Sequence, residues 1–360
     1  AEFEEAEGID EGLGPVYNAR SCTDCHQNPV TGGSSQVTEF RAGHFEHRRF
    51  VNPTVEIKNG RATISGRSLI NDRAICPQAQ ERVPASEDVR TFRMSLSVLG
   101  DGFVEAIDDS TLIRIAEQQR AGSGGTIAGQ FIQVPILEAP GETRIGRFGW
   151  KTQHASLLSF AADAYLNEQG ITSRLLPTDT TDVCKTTSDP EDEEDDAGVA
   201  DIDRFASFIR ATLAPPRNSR LAGTREARAG ERIFSQIGCA ICHVPSIVTA
   251  PAGTALNGGL LIVPPQLGNK IIHPYSDFLL HDVGTGDGIV QNGPAETANK
   301  LRTPPLWGLR TRTRLMHDGL SATVENAIRR HDGEASEVIR AFRRLSDREE
   351  DRLLTFLNSL

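Results

Sequence analysis

Two short stretches with the spacing C-x-x-C-H stand out in this chain: CTDCH at residues 22–26 and CAICH at residues 239–243. This spacing is the attachment pattern of a c-type haem, in which two thiols bond to the vinyl groups of one porphyrin. The adjacent histidine then lies under the iron as its proximal ligand. We therefore predict two covalently bound haem c groups, held by Cys22, Cys25, His26, Cys239, Cys242 and His243.

Two other uses of paired cysteines are weighed against haem. A thioredoxin-like redox pair would follow a strand in a βαβ unit, and neither pentad has a Val/Ile-rich strand before it. Zinc can be bound by two C-x-x-C pairs. The two pairs here lie far apart in the chain, and each is followed directly by histidine. Both features favour haem.

Charge and hydropathy limit which binding partners and which cellular compartment are expected. The net charge of −11 argues against nucleic acid, because phosphate binding needs clustered positive charge. No apolar run approaches the roughly 18–20 residues of a transmembrane helix. The first residues, AEFEE, lack the basic and apolar regions of a signal peptide. We expect a mature, exported chain whose signal peptide has been removed, located in the periplasm or at the cell surface.

The two remaining cysteines are Cys76 and Cys184. In an oxidising compartment an isolated pair of this kind usually forms a disulfide. Two buried free thiols are the alternative.

The pattern of elements predicts a mainly α protein with long loops. We expect two cytochrome c-like domains, one at residues 1–197 with large insertions and one at residues 198–360, each holding one haem. The run 189–196 contains seven acids in eight positions. It is typical of a solvated linker, with a calcium-binding loop as the alternative.

Several further motifs resemble the bacterial di-haem cytochrome c peroxidase superfamily, and within it the di-haem oxidoreductase (putative peroxidase, or thiol oxidoreductase) family. They keep their order and cover most of the chain: LGDGFVEAI at 99–107, GRFGWK at 146–151, PYSDFLLHD at 274–282, LRTPPLWGL at 301–309, LMHDG at 315–319 and HDGEA at 331–335. The resemblance implies two haem domains that face each other, with calcium between them. One haem would store electrons, and the other would bind peroxide.

Ligand choice decides which haem is which, because a haem with two protein ligands passes electrons and one with an open position binds peroxide. For the second haem, Met316 is the predicted sixth ligand, since it lies where peroxidase relatives carry an axial Met. A core methionine and ligation by His317 are the alternatives. For the first haem the candidates are His44, which lies where relatives hold a distal His, His154 and His47.

Other residues are candidates for the chemistry around the haems. Heterolysis of peroxide needs a general base, and Glu105 is the predicted carboxylate. Trp150 and Trp307 are predicted to relay electrons between the haems, with core packing as the alternative. His281 is either distal or structural. Arg93 and Arg147 are candidates to pair with haem propionates.

The sequence thus predicts a periplasmic di-haem c peroxidase that reduces hydrogen peroxide, or another small oxidant. The expected electron donor is a small cytochrome c or cupredoxin. One alternative is a pure electron-transfer cytochrome. The other is an oxidase or protein-modifying enzyme that uses high-valent iron.

Overall fold

Helices and strands both contribute to the fold in the computed structural model, which describes residues 2–360. Helical residues make up 31% of the chain, and strand residues make up 16% in many small sheets. The prediction of a mainly α protein is therefore wrong. The physical reason is strand pairing between segments distant in sequence, because β structure depends on cross-strand packing more than on local preference.

The α-helices vary from one turn to four. None of them, among residues 2–360, is long and apolar enough to cross a bilayer. They are α1 Asp101–Glu105, α2 Asp109–Gly122, α3 Leu157–Ala164, α4 Asp201–Ala211, α5 Ser219–Ala222, α6 Arg225–Gln236, α7 Val324–Arg329, α8 Ser336–Phe342 and α9 Asp347–Leu357.

The strands are short and pair antiparallel. They are β1 Val16–Tyr17, β2 Thr38–Glu46, β3 Arg49–Val51, β4 Val55–Ile57, β5 Ala62–Ile64, β6 Leu69–Ile70, β7 Arg73–Ala74, β8 Val89–Met94, β9 Gln133–Pro135, β10 Thr143–Ile145, β11 Ile247–Val248, β12 Ala255–Leu256, β13 Leu261–Ile262, β14 Ile271–Ile272, β15 Leu280–His281 and β16 Leu301–Arg302.

The largest sheet is built around β2, which pairs with β3, β6 and β8. Its register places Glu39 opposite Arg93. Residues i and i+2 of a strand point to the same face, so Glu39 and Arg41 extend together from β2. The sheet therefore presents a cluster of charged side chains on one face.

The first hydrophobic cluster joins α1, α3 and α4. The hydroxyl of Ser156 caps α3 by accepting from two backbone N–H groups. Ile202 and Phe205 of α4 are buried in this cluster, although α4 follows the predicted boundary at residue 197. Helix α4 thus packs with the N-terminal helices, while the division into two haem domains stays a prediction.

The second hydrophobic cluster is formed where α6 packs against α9. The rings of Phe234 and Phe356 lie 5.3 Å apart at its centre. Gly230 allows the close approach, since a Cβ there would lie 1.9 Å from the carbonyl oxygen of Arg352. Helix α6 leads directly into the pentad at residues 239–243, so the packing of α6 and α9 fixes where that pentad begins.

The acidic run at residues 189–196 is docked onto the protein. The Asp192 carboxylate accepts from the backbone N–H groups of Asp201 and Ile202 and so caps α4. Glu191 accepts from the N–H of Thr172 at 2.9 Å. These contacts give the run a structural role that a solvated linker would not have.

Cys76 and Cys184 form a disulfide that joins segments 108 residues apart. The predicted pairing is confirmed. It ties the segment before the acidic run to the region of β4 and β5, where Val183 packs against a small apolar cluster.

We expect Cys76→Ser/Cys184→Ser to lower the free energy of unfolding by about 2–5 kcal/mol, because the disulfide restricts the unfolded chain. Guanidinium denaturation of the haem-loaded protein measures this, with the untreated wild type as the control. An unchanged transition midpoint would show that the link does not stabilise the fold.

Candidate functional site

Two cavities each contain the cysteines and the histidine of one pentad. The first cavity has a volume of about 180 Å³ and includes the pentad at 22–26. The second cavity has a volume of about 550 Å³ and includes the pentad at 239–243. None of the four pentad cysteines is part of a disulfide. Each cavity therefore brings together two thiols and one imidazole, the set that haem c attachment requires.

Both pentad histidines are held in one orientation by a backbone carbonyl. The Nδ1 of His26 lies 3.1 Å from the Gly33 oxygen, and that of His243 lies 3.0 Å from the Tyr275 oxygen. A carbonyl only accepts, so the ring N–H is at Nδ1 and Nε2 is left to bind a metal. Both rings are therefore ready to act as proximal ligands.

Unpaired nitrogen atoms on the cavity walls fit the carboxylates of a haem. Arg93 lines the first cavity, His317 the second and Arg302 both. Each has a buried nitrogen without a hydrogen-bond partner: Nη2 of Arg93, Nη1 of Arg302 and Nδ1 of His317. Such groups are costly unless an acceptor meets them, and propionates supply acceptors. Arg147 instead lies outside both cavities and pairs with Asp109.

His331 lies close to His243, and both residues line the second cavity. Their ring centroids are 6.4 Å apart, and the ring planes are inclined by 62°. Two imidazoles that bind one metal ion from opposite sides have centroids about 6 Å apart, for metal–nitrogen distances of about 2.0 Å. The Nδ1 of His331 donates to the Ala327 oxygen at 2.8 Å, which leaves Nε2 as the metal-binding atom of this ring also.

The loop after His331 is fixed by Glu334. Its carboxylate accepts from the Asp282 N–H at 3.0 Å and lies 2.8 Å from Nδ1 of His281. Nε2 of His281 lies 2.8 Å from an Asp277 oxygen. Burial disfavours a charged ring, but the Asp277 carboxylate, followed by Cys242, raises the pKa of His281 well above its usual range. His281 thus supports the wall of the second cavity from between two acids.

The predicted ligand Met316 also lines the second cavity. Its backbone adopts the left-handed conformation, with φ of 66°. Its neighbour His317 lines the same cavity and packs edge-on against Trp150, with centroids 6.1 Å apart. Met316 stays a predicted ligand, but the structure adds His331, which the sequence reasoning used only as part of a family motif.

The histidines predicted for the first haem lie outside the first cavity. His44 is on β2, where its Nδ1 lies 2.7 Å from a Glu87 oxygen. His154 is buried and pairs with Asp163 at 3.1 Å, and His47 lies in the turn between β2 and β3. Among the described residues that line this cavity, His26 is the only histidine. The first cavity therefore lacks the facing imidazole of the second.

Two carboxyl groups that the sequence analysis did not single out line the first cavity, Glu39 and Glu168. Arg41 binds Glu39 through two nitrogens, at 2.6 and 3.0 Å. Burial raises the pKa of Glu168 to about 7, and the negative charge of Glu39 adds to the effect. At neutral pH Glu168 can thus either donate or accept a proton. Glu39 lies on β2 and Glu168 lies in the helical segment after α3, so only folding brings them together and no local motif reveals them.

Glu105 lies outside both cavities. It is fully buried and accepts from Arg210 at 2.7 and 3.0 Å. It also accepts from the Asn257 side chain and the Leu157 N–H. This carboxylate connects α1, α3, α4 and a loop of the C-terminal half, so the structure places it in a packing role.

The two tryptophans occupy different environments. Trp150 lines both cavities, and its indole N–H donates to the Met94 carbonyl at 2.8 Å. Trp307 lies in the first hydrophobic cluster and lines neither cavity. Only Trp150 is placed where an electron relay between the haems would need it.

Comparisons with known proteins point to one family. Residues 78–360 match the family described as "Di-haem oxidoreductase, putative peroxidase". No curated protein matches the chain.

Two solved structures resemble the chain weakly. A hydrazine synthase chain from Kuenenia stuttgartiensis, studied under xenon pressure, is 14% identical with a TM-score of 0.43, over 99% of this chain and 94% of that chain. A MauG-like protein associated with microbial copper homeostasis is 20% identical with a TM-score of 0.29, over 44% of this chain and 52% of that chain. At these TM-scores neither carries an argument about fold or function.

We expect Glu105→Ala to lower the free energy of unfolding by about 2–3 kcal/mol, because the partly exposed Arg210 guanidinium loses its carboxylate partner. The haem absorption spectrum should not change. Thermal unfolding and the spectrum test this, with Glu117→Ala on the exposed face of α2 as the control. A variant of full stability that has lost its peroxide turnover would instead give Glu105 a catalytic role.

Proposed function

The chain belongs to the di-haem oxidoreductase family. From this premise we propose that it is an exported peroxidase. The haem bound by His26 would reduce hydrogen peroxide, with electrons stored at the haem bound by His243. A haem with an open axial position binds peroxide, whereas one with two protein ligands passes electrons. We also propose that both haems are of the covalent c type, because each cavity contains two cysteines, outside any disulfide, beside the proximal histidine.

The difference between the two cavities carries this proposal. In the second cavity His243 faces His331, so that two imidazoles are available to one iron. In the first cavity His26 has no such partner among the lining residues described. We therefore assign electron storage to the second cavity and peroxide binding to the first. His331 replaces Met316 as our preferred sixth ligand.

Protons for the reaction are available at the first cavity. Reduction of one hydrogen peroxide to two waters consumes two protons and two electrons. Glu168, whose pKa burial raises to about 7, suits proton transfer near neutral pH. Glu39 accepts from Arg41 and holds negative charge beside it. We assign the proton-transfer role to Glu168 in place of Glu105.

Electrons need a path between the cavities, and Trp150 lies in the wall of both. His317 packs against it from the second cavity. We propose that Trp150 mediates transfer, and that a small cytochrome c or cupredoxin in the periplasm supplies the electrons. The pair of cysteines beside a histidine in each cavity agrees with export, because haem c is attached after export.

We expect His331→Ala to convert one of two haems from low spin to high spin, because it removes an axial ligand. Met316→Ala, in the same cavity, is the matched control and should leave the spectrum unchanged. Electronic absorption and electron paramagnetic resonance of the ferric protein measure the result. The opposite pattern, with spin change only in Met316→Ala, would restore methionine as the ligand.

We expect Glu168→Gln to lower peroxide turnover by about 10²-fold or more, the usual contribution of a general acid or base. Glu46→Gln, an exposed acid on β2, is the control. The assay follows oxidation of a reduced cytochrome c or cupredoxin by hydrogen peroxide. Two low-spin haems that are inert to peroxide and carbon monoxide would instead identify an electron carrier.

A further inference from the structure

The side chain of Lys151 ends in a cage of oxygen atoms. Its Nζ donates to the carbonyl oxygens of Thr297, Ala298 and Lys300 at 3.1, 2.8 and 2.7 Å. It also pairs with Oδ1 of Asp287 at 2.9 Å. The lysine side chain is only 1% exposed, so water does not share these contacts.

The cage lies at the junction of the two haem cavities. Trp150, the residue before Lys151, lines both of them. The second oxygen of Asp287 accepts from Nε of Arg93 at 2.6 Å, and Arg93 lines the first cavity. A positive charge in the cage thus acts next to both cavities.

Three backbone carbonyls and one carboxylate are ligands that a calcium ion prefers. In this chain an ammonium group meets the same four oxygens. Burial lowers the pKa of Lys151 to about 8, while Asp287 opposes the shift, so the group is charged at pH 7. A calcium ion would need the space that Nζ fills, and it would be repelled by the ammonium charge.

We propose that the ammonium group of Lys151 takes the place of a calcium ion at the junction of the two haem cavities. The calcium expected from the family resemblance does not fit there while the lysine is present. The proposal is independent of the peroxide chemistry, since it concerns only the cation that neutralises Asp287 and the three carbonyls.

A second lysine, Lys185, lies just before the acidic run and contacts acids in a similar way. Nζ of Lys185 pairs with Glu191 at 2.8 Å and also with Asp179 and Asp189. These three acids would otherwise be candidates to hold a metal ion. A tethered ammonium therefore occupies this candidate metal site as well.

The first test uses the wild-type haem-loaded protein. Its melting temperature is measured after dialysis against EDTA and again in millimolar calcium chloride, and bound calcium is measured by mass spectrometry. We expect the melting temperature to be the same in both conditions, and we expect no stoichiometric calcium bound to the protein. A melting temperature that falls in EDTA and recovers with calcium would overturn the proposal.

The second test opens the cage. Lys151→Ala leaves the four oxygens with space for an ion and water, and it should lower the melting temperature by about 5–10 °C, because a buried acid and three carbonyls lose their partner. Calcium chloride should restore most of that loss. Lys151→Met is the matched control, because its side chain fills the space but cannot donate.

The two variants separate a cation site from a general loss of packing. We expect Lys151→Met to be destabilised with or without calcium, and Lys151→Ala to bind one calcium ion in a calorimetric titration. If calcium chloride does not change the melting temperature of Lys151→Ala, the proposal is overturned. Equal rescue of both variants would do the same.

Discussion

Each haem cavity depends on one hydrogen bond, from the Nδ1 of its pentad histidine to a backbone carbonyl. The acceptors, Gly33 and Tyr275, lie in loops whose conformation presents that oxygen to the ring. At Gly33 a side chain does not fit, because a Cβ would lie 1.9 Å from the Asn28 oxygen. Tyr275 adopts a positive φ of 49°. The backbone conformation of these loops therefore orients the metal-binding nitrogens of both rings.

Around that common element the two cavities differ in the chemistry of their walls. The second cavity sets His331 against His243, with Glu334 holding the loop that carries it. The first cavity borders the charged face of the β2 sheet, where Glu39 and Arg41 meet Glu168. Under the proposed function, the second wall suits an iron with two protein ligands, and the first suits an iron beside groups that transfer protons. The same pentad can serve either purpose, because the pentad supplies only the proximal side.

The sequence predicted features that residue type and number decide, and it missed contacts that only folding creates. The pentads at 22–26 and 239–243 could be inferred from their spacing, and the disulfide partners because Cys76 and Cys184 are the two cysteines left over. The pairing of Thr38 with Met94 could not, because it joins strands far apart in the chain. The facing position of His331 had no local signal either. A histidine in a loop motif becomes a ligand candidate only once folding brings it to His243.

The first hydrophobic cluster is formed by residues from both halves of the chain. It contains Phe3 and α4 together with Phe278 and Trp307 from the C-terminal half. The two halves therefore share one hydrophobic core and are not independently packed domains. Exchanging one half for that of a relative would leave mismatched side chains in the core, so we expect the two halves to change together in evolution.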